Sequence, residues 1–161
     1  MGGKTLHKSV KRGENWVIRL VIIVFWTLFW LLNFADKVSG LGAGYWMGKD
    51  RLQQFADYFL RIGVTDITVP YAMLVVMAAL EMIAFLLFAV ALVEHVQGHQ
   101  AAERKFVFHG VVVSLIIFTI FAIGDQLFGD RFELLEHSIY WISVIITWFL
   151  YTTFKLETNR R

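Results

Sequence analysis

Apolar residues in this chain neither alternate with polar ones nor recur at intervals between charges. They run on in long blocks, and the charges collect between the blocks. The first block, Trp16 to Phe34, is interrupted only by Arg19, Thr27 and Asn33. The second, Pro70 to Val93, is broken only by Glu81; the third, Phe106 to Ile123, carries His109, Ser114 and Thr119; the fourth, His137 to Phe154, carries Ser143 and Thr147. A hydrocarbon layer about 30 Å thick needs roughly 20 apolar helical residues to cross it, and each block has about that length. Continuous runs of this length exceed barrel strands, and in lipid the backbone must satisfy its own hydrogen bonds, so the blocks predict helices. The expected fold is all-α, one membrane domain over residues 1–161 with spans at about 16–34, 70–93, 106–123 and 137–154.

The longest connection, Asp36 to Val69, has structure of its own. Ser39 to Gly44 is rich in glycine, and then Leu52, Phe55, Phe59, Leu60 and Ile62 recur near helical spacing among Gln53, Gln54, Asp57 and Arg61. That pattern predicts a short amphipathic helix over about 50–62, lying at the membrane interface. Gly63 is placed to end it, and Pro70 suits the first turn of the second span.

Composition agrees with the blocks. Of 161 residues 58% are hydrophobic and only 17% charged, against the quarter expected of a soluble domain. There is no cysteine, which excludes disulfides, thiolate metal sites and a cysteine nucleophile. A net charge of +2 is too small to imply nucleic acid. Its distribution matters more. With the N-terminus inside, the cytoplasmic flanks receive Lys4, Lys8, Lys11, Arg12, Arg19, Arg104, Lys105, Lys155, Arg160 and Arg161. The outer side receives Lys37, Lys49, Arg51, Arg61 and Arg131. This asymmetry predicts both termini in the cytoplasm. The first block is longer than a signal-peptide core and is expected to remain as a span.

Chemistry-bearing residues are few. Glu81, about eleven residues into its span, is expected near mid-bilayer, where an ionised carboxylate needs a partner. Arg19, a turn inside the first span, is the expected one, giving an intramembrane pair Arg19–Glu81. Glu81 then reads either as a structural partner or as a proton- or quinone-facing group. Tyr140, Ser143, Thr147 and Tyr151 form a polar stripe that should face protein, and Gly110 with Ser114 permits close helix approach. Trp26 and Trp30 share a face with Arg19, for packing or for a flat ligand. His95 and His109 flank one loop and would be the candidate axial pair for a haem. Asp130, Glu133 and His137, at three- and four-residue spacing, are ligand-like for a metal, or else an acidic cap on a helix N-terminus.

The first half of the chain resembles the DoxX-like family of small four-helix membrane proteins. The resemblance rests on Arg19 opening the first span, Asp36-Lys37 closing it, Phe55 through Arg61-Ile62-Gly63-Val64 in the loop, then Pro70, and Glu81 within Leu80-Glu81-Met82. It covers roughly residues 17–95. Phe34 stands where the family favours glycine, and the later spans match in number and length. The resemblance implies a subunit of a membrane oxidoreductase complex of the thiosulfate:quinone oxidoreductase type, in an anchoring or quinone-proximal role and not catalytic alone. It makes Arg19, Lys37 and Glu81 the family-like polar residues. A purely structural subunit of a larger membrane complex, and a small metal enzyme on the acidic cluster, are the alternatives. The lipid bilayer and other membrane subunits are the expected partners, in a bacterial or archaeal cell membrane; nucleic acid is not.

Overall fold

The structure is a computed structural model and describes residues 3–41 and 50–153, with side chains from 13 to 39 and from 50 to 153. The glycine-rich stretch beyond Leu41, Trp46, Lys49, Phe154 and the basic C-terminal residues lie outside the described residues, as do the side chains of the N-terminal lysines. The described chain is helical throughout apart from its short turns: α1 Gly3–Leu41, α2 Arg51–Arg61, α3 Thr68–Gln97, α4 Gln100–Phe128 and α5 Arg131–Thr153. Four of these helices, all but α2, are long and apolar enough to cross a membrane. The protein is a membrane-spanning four-helix bundle with one short amphipathic helix between its first two spans.

The turns follow from residues that break helices. Gly98 and Gly129 close α3 and α4 at φ 80° and 76°, a left-handed conformation that costs glycine nothing. Asp50 caps α2 by accepting the Gln53 N–H at 2.9 Å. Gly63, at φ 85°, turns the chain after α2, and Pro70 lies in the first turn of α3, where a missing N–H costs little. All four long helices reach beyond their apolar blocks at one end or both. α1 has 39 residues, about 58 Å at 1.5 Å per residue, and so carries Lys37 within helix rather than loop.

α1 packs along α3, α3 along α4 and α4 along α5, while α5 meets α1 more loosely. Large side chains fill that last seam. Trp26 donates to Thr147 Oγ1 at 3.1 Å, and Phe29 packs against Tyr140 with ring centroids 5.2 Å apart. On the opposite side the Phe88 ring lies directly on Gly110, where a Cβ would stand 2.8 Å from it. Ser114, one turn on, donates to the Gly110 carbonyl and accepts Trp30 Nε1 at 2.9 Å. The core is aromatic, built on Trp26, Trp30, Phe88 and Phe118. The outer surface is Val, Ile, Leu and Phe, which suits lipid and would not suit water.

α2 does not simply lie on a surface. Its inward face is Gln54, Phe55, Tyr58 and Phe59, whereas Leu60 and Ile62, expected on the apolar side, are 58% and 50% exposed. Tyr58 stacks on Phe128 at 5.1 Å and donates to Asp130 Oδ2 at 2.9 Å, which fastens α2 across the α4–α5 turn. The helix therefore caps one end of the bundle. Burial pushes the Tyr58 phenol up to about 12, helped by Asp130 and opposed by the Gln54 amide. The Glu133 backbone N–H, donating to Asp130, holds that carboxyl below its usual range.

Candidate functional site

One face of α1 places Arg19, Ile23, Trp26, Trp30 and Lys37 in the interior, all nearly sealed from solvent. Arg19 and Lys37 are eighteen residues apart, about 27 Å along the helix. Each organises its own buried cluster, and the distance between them is close to the thickness of a hydrocarbon layer.

The expected Arg19–Glu81 pair does not form. Glu81 accepts from Lys37 Nζ at 2.5 Å, and Arg19 Nη2 lies 2.9 Å from Glu103 Oε1. The reason is register. Arg19 lies level with the α3–α4 turn, where α4 brings Glu103, and Glu81 lies level with the far end of α1.

The cluster near the α3–α4 turn is a knot of four polar side chains. Glu103 Oε1 accepts the Tyr151 hydroxyl at 2.9 Å, Arg19 donates to that same hydroxyl oxygen at 2.6 Å, and His95 Nδ1 stands 2.9 Å from Glu103. Trp16 stacks on His95 at 4.8 Å and closes the outer side. His95 is buried, while His109 is exposed and bonds the Lys105 carbonyl of its own helix. The two histidines thus face different surroundings and do not form the axial pair considered for haem. Nothing about hydropathy marks Glu103, because it precedes the third apolar block. Extending that block's inner face backwards, Ser114, Gly110, Val107 and Glu103 at spacings of four, three and four, would have found it.

The cluster near α2 opens on a cavity of about 200 Å³ to which all five helices contribute. Its walls are rings, Phe29, Trp30, Phe118, Phe121 and Tyr140, with Phe55 and Phe59 from α2 above them. Lys37 and Glu81 form part of the inner wall, and Lys37 Nζ sits 5.2 Å over the Phe121 ring. On the α5 side, His137 Nδ1 is 2.6 Å from Asp125 Oδ2, and its ring stacks on Phe121 at 4.7 Å. A carboxylate can only accept, so Nδ1 carries the proton. Arg51 bonds Asp36 and Gln54, tying α2 to α1 at the mouth.

Each hydrogen-bond donor of this wall gives at least one hydrogen to protein. Lys37 donates to Glu81, Gln54 to the Tyr58 hydroxyl and Tyr140 to Glu136. Asn33 donates to the Phe29 carbonyl and Trp30 to Ser114. Acceptors remain: Glu81 Oε2 is fully buried and has no hydrogen-bond partner.

The other sequence candidates sort themselves by direction. From the polar stripe, Tyr140, Thr147 and Tyr151 face the bundle; Ser143 instead bonds the Ile139 carbonyl of its own helix. Asp130, Glu133 and His137 do not converge as metal ligands. Asp130 is engaged by Tyr58, His137 turns to Asp125, and its Nε2 stays 4.0 Å from Glu133. Among the described residues no three histidine, aspartate or glutamate side chains are grouped to hold a metal ion. Asp125, expected close to this cluster from its place in the sequence, is the carboxylate that takes His137, across the tight α4–α5 turn. Comparison with protein-family models, with curated proteins and with solved structures finds no match to this chain.

Proposed function

We propose that this protein is a DoxX-like subunit of a membrane-bound oxidoreductase complex, and that it holds the headgroup of a lipid-soluble quinone in the cavity beneath α2. The observation that carries the reading is the cavity itself. It is of ring size, it is walled by stackable aromatics, and it has an ion pair on one side and an imidazole–carboxylate pair on another. Ligand sites are mostly apolar with a few placed polar groups, and a quinone headgroup asks for that combination: a flat ring with oxygens at opposite ends. Its isoprenoid tail would share the hydrocarbon layer with the exposed apolar faces of the bundle. No electron carrier is needed in this chain, since a partner subunit would supply the redox centre. In this reading both termini face the cytoplasm of a bacterial or archaeal cell, as the flanking charges suggest.

The test is extraction from the native membrane in mild detergent, with partner subunits identified and bound lipids resolved by mass spectrometry. A quinone retained in near-stoichiometric amount, and depleted in a Trp30→Leu, Phe121→Leu variant that unlines the cavity, is expected. A quinone content equal to that of the surrounding lipid would sink the reading.

A further inference from the structure

The polarity of the cavity wall narrows what it holds. Its donors Lys37, Gln54 and Tyr140 each give a hydrogen to a protein acceptor. Its carboxylates outnumber its cations: Glu81, Asp125, Glu133 and Glu136 line it, against Lys37 and Arg51. Most telling is Glu81. Oε1 takes the lysine ammonium, while Oε2 is buried with no hydrogen-bond partner. An orphaned charged acceptor in a low-dielectric wall is costly, and a ligand that donates a hydrogen there removes the cost.

Resting on the quinone reading above, we propose that the cavity is built for the reduced, dihydroxy form: a hydroquinone whose ring hydroxyl donates to Glu81 Oε2. A quinone offers only carbonyl oxygens, which are acceptors, to a wall already rich in acceptors. It would leave Glu81 Oε2 unsatisfied. The protein thus binds the hydroquinone in preference to the quinone.

The experiment uses the full chain in detergent micelles or nanodiscs and calorimetric titration with three ligands of one skeleton: a decyl-substituted benzoquinone, its hydroquinone kept under anaerobic conditions, and the hydroquinone dimethyl ether. The ether keeps shape and tail but has no hydrogen to donate. Hydroquinone binding at least about tenfold tighter than quinone or ether is expected, the size of one hydrogen bond to a charged acceptor. In Glu81→Gln, Lys37 is expected to hold the amide oxygen and turn the NH₂ inward. The preference then falls below about threefold or passes to the quinone. Equal or tighter binding of quinone or ether by the wild type overturns the proposal and leaves the quinone site standing, and so does an unchanged preference in Glu81→Gln. If Glu81→Gln does not fold, the three-ligand ranking of the wild type decides alone. If none of the three binds, the quinone reading itself fails, and this inference with it.

Discussion

The two ends of the bundle solve the same problem differently. Each buries a cation from α1 against a glutamate from another helix, in surroundings where an unpaired charge is expensive. At the α3–α4 turn, Glu103 Oε1 is shared by Arg19 and Tyr151, each within 2.9 Å, and His95 Nδ1 lies as near without a hydrogen bond. At the α2 end, Glu81 has one donor, Lys37, and sits beside a cavity. A knot whose carboxylate is shared among its own side chains reads as structural. A pair with an acceptor to spare, beside ring-walled space, reads as a site. The lesson is that an intramembrane charge is classified by the hydrogen bonds around it and not by its depth.

The largest effect should come from breaking the knot. Arg19→Met leaves Glu103 buried without its cation and is expected to cost about 3–5 kcal/mol, softened to the extent that the unfolded state in lipid also finds partners. Adding Glu103→Gln should recover much of it. Thermal unfolding in detergent checks both, and a double variant no more stable than Arg19→Met would show that the knot is not a charge pair. The same double variant sharpens the comparison, because it should leave ring-ligand affinity within about twofold. Lys37→Met with Glu81→Gln should lower hydroquinone affinity at least about tenfold, the loss of charge-assisted bonds.

A smaller loss is expected where no charge is involved. Gly110→Ala drives a Cβ to 2.8 Å from the Phe88 ring and should cost about 1–3 kcal/mol, as overpacking does. Phe88→Leu in the same chain should relieve it, and a Gly110→Ala variant that melts with the wild type would mean that the Phe88 ring moves aside at no cost. Ser114→Ala, which removes the acceptor of Trp30, should cost only about 0.6 kcal/mol, the average for such bonds between membrane helices.

The smallest effect lies in the cap. The Tyr58 phenol is raised to about 12, so the folded protein holds that proton more tightly than the unfolded chain does. The stability this adds is complete below the ordinary tyrosine value near 10 and is lost as pH rises from there through about 12. Tyr58→Phe should remove one late-titrating phenol from the alkaline absorbance curve. A curve unchanged in that range would show that α2 stands away from the bundle.

Much of the architecture could be read from the residues alone. Four apolar blocks of bilayer length can only be helices in lipid, since the backbone has no other donor or acceptor there. The short amphipathic segment between the first two blocks is marked by its spacing, and its end by Gly63, whose φ of 85° fits that reading. Arg19, Lys37 and Glu81 stood out in the sequence as polar residues in or beside apolar blocks, and all three are buried. Which partner each took was decided only by the tertiary structure. Helix extension past the apolar blocks brought Lys37 and Glu103 inside, and register along α1, not nearness in sequence, matched Lys37 to Glu81 and Arg19 to Glu103. The cavity belongs wholly to that second level. It exists because α2 folds back over the bundle end with Tyr58 on Asp130, and because five helices each turn a ring or a charge toward one space. A one-dimensional pattern records which residues are polar, but the direction a side chain takes depends on how neighbouring helices pack around it.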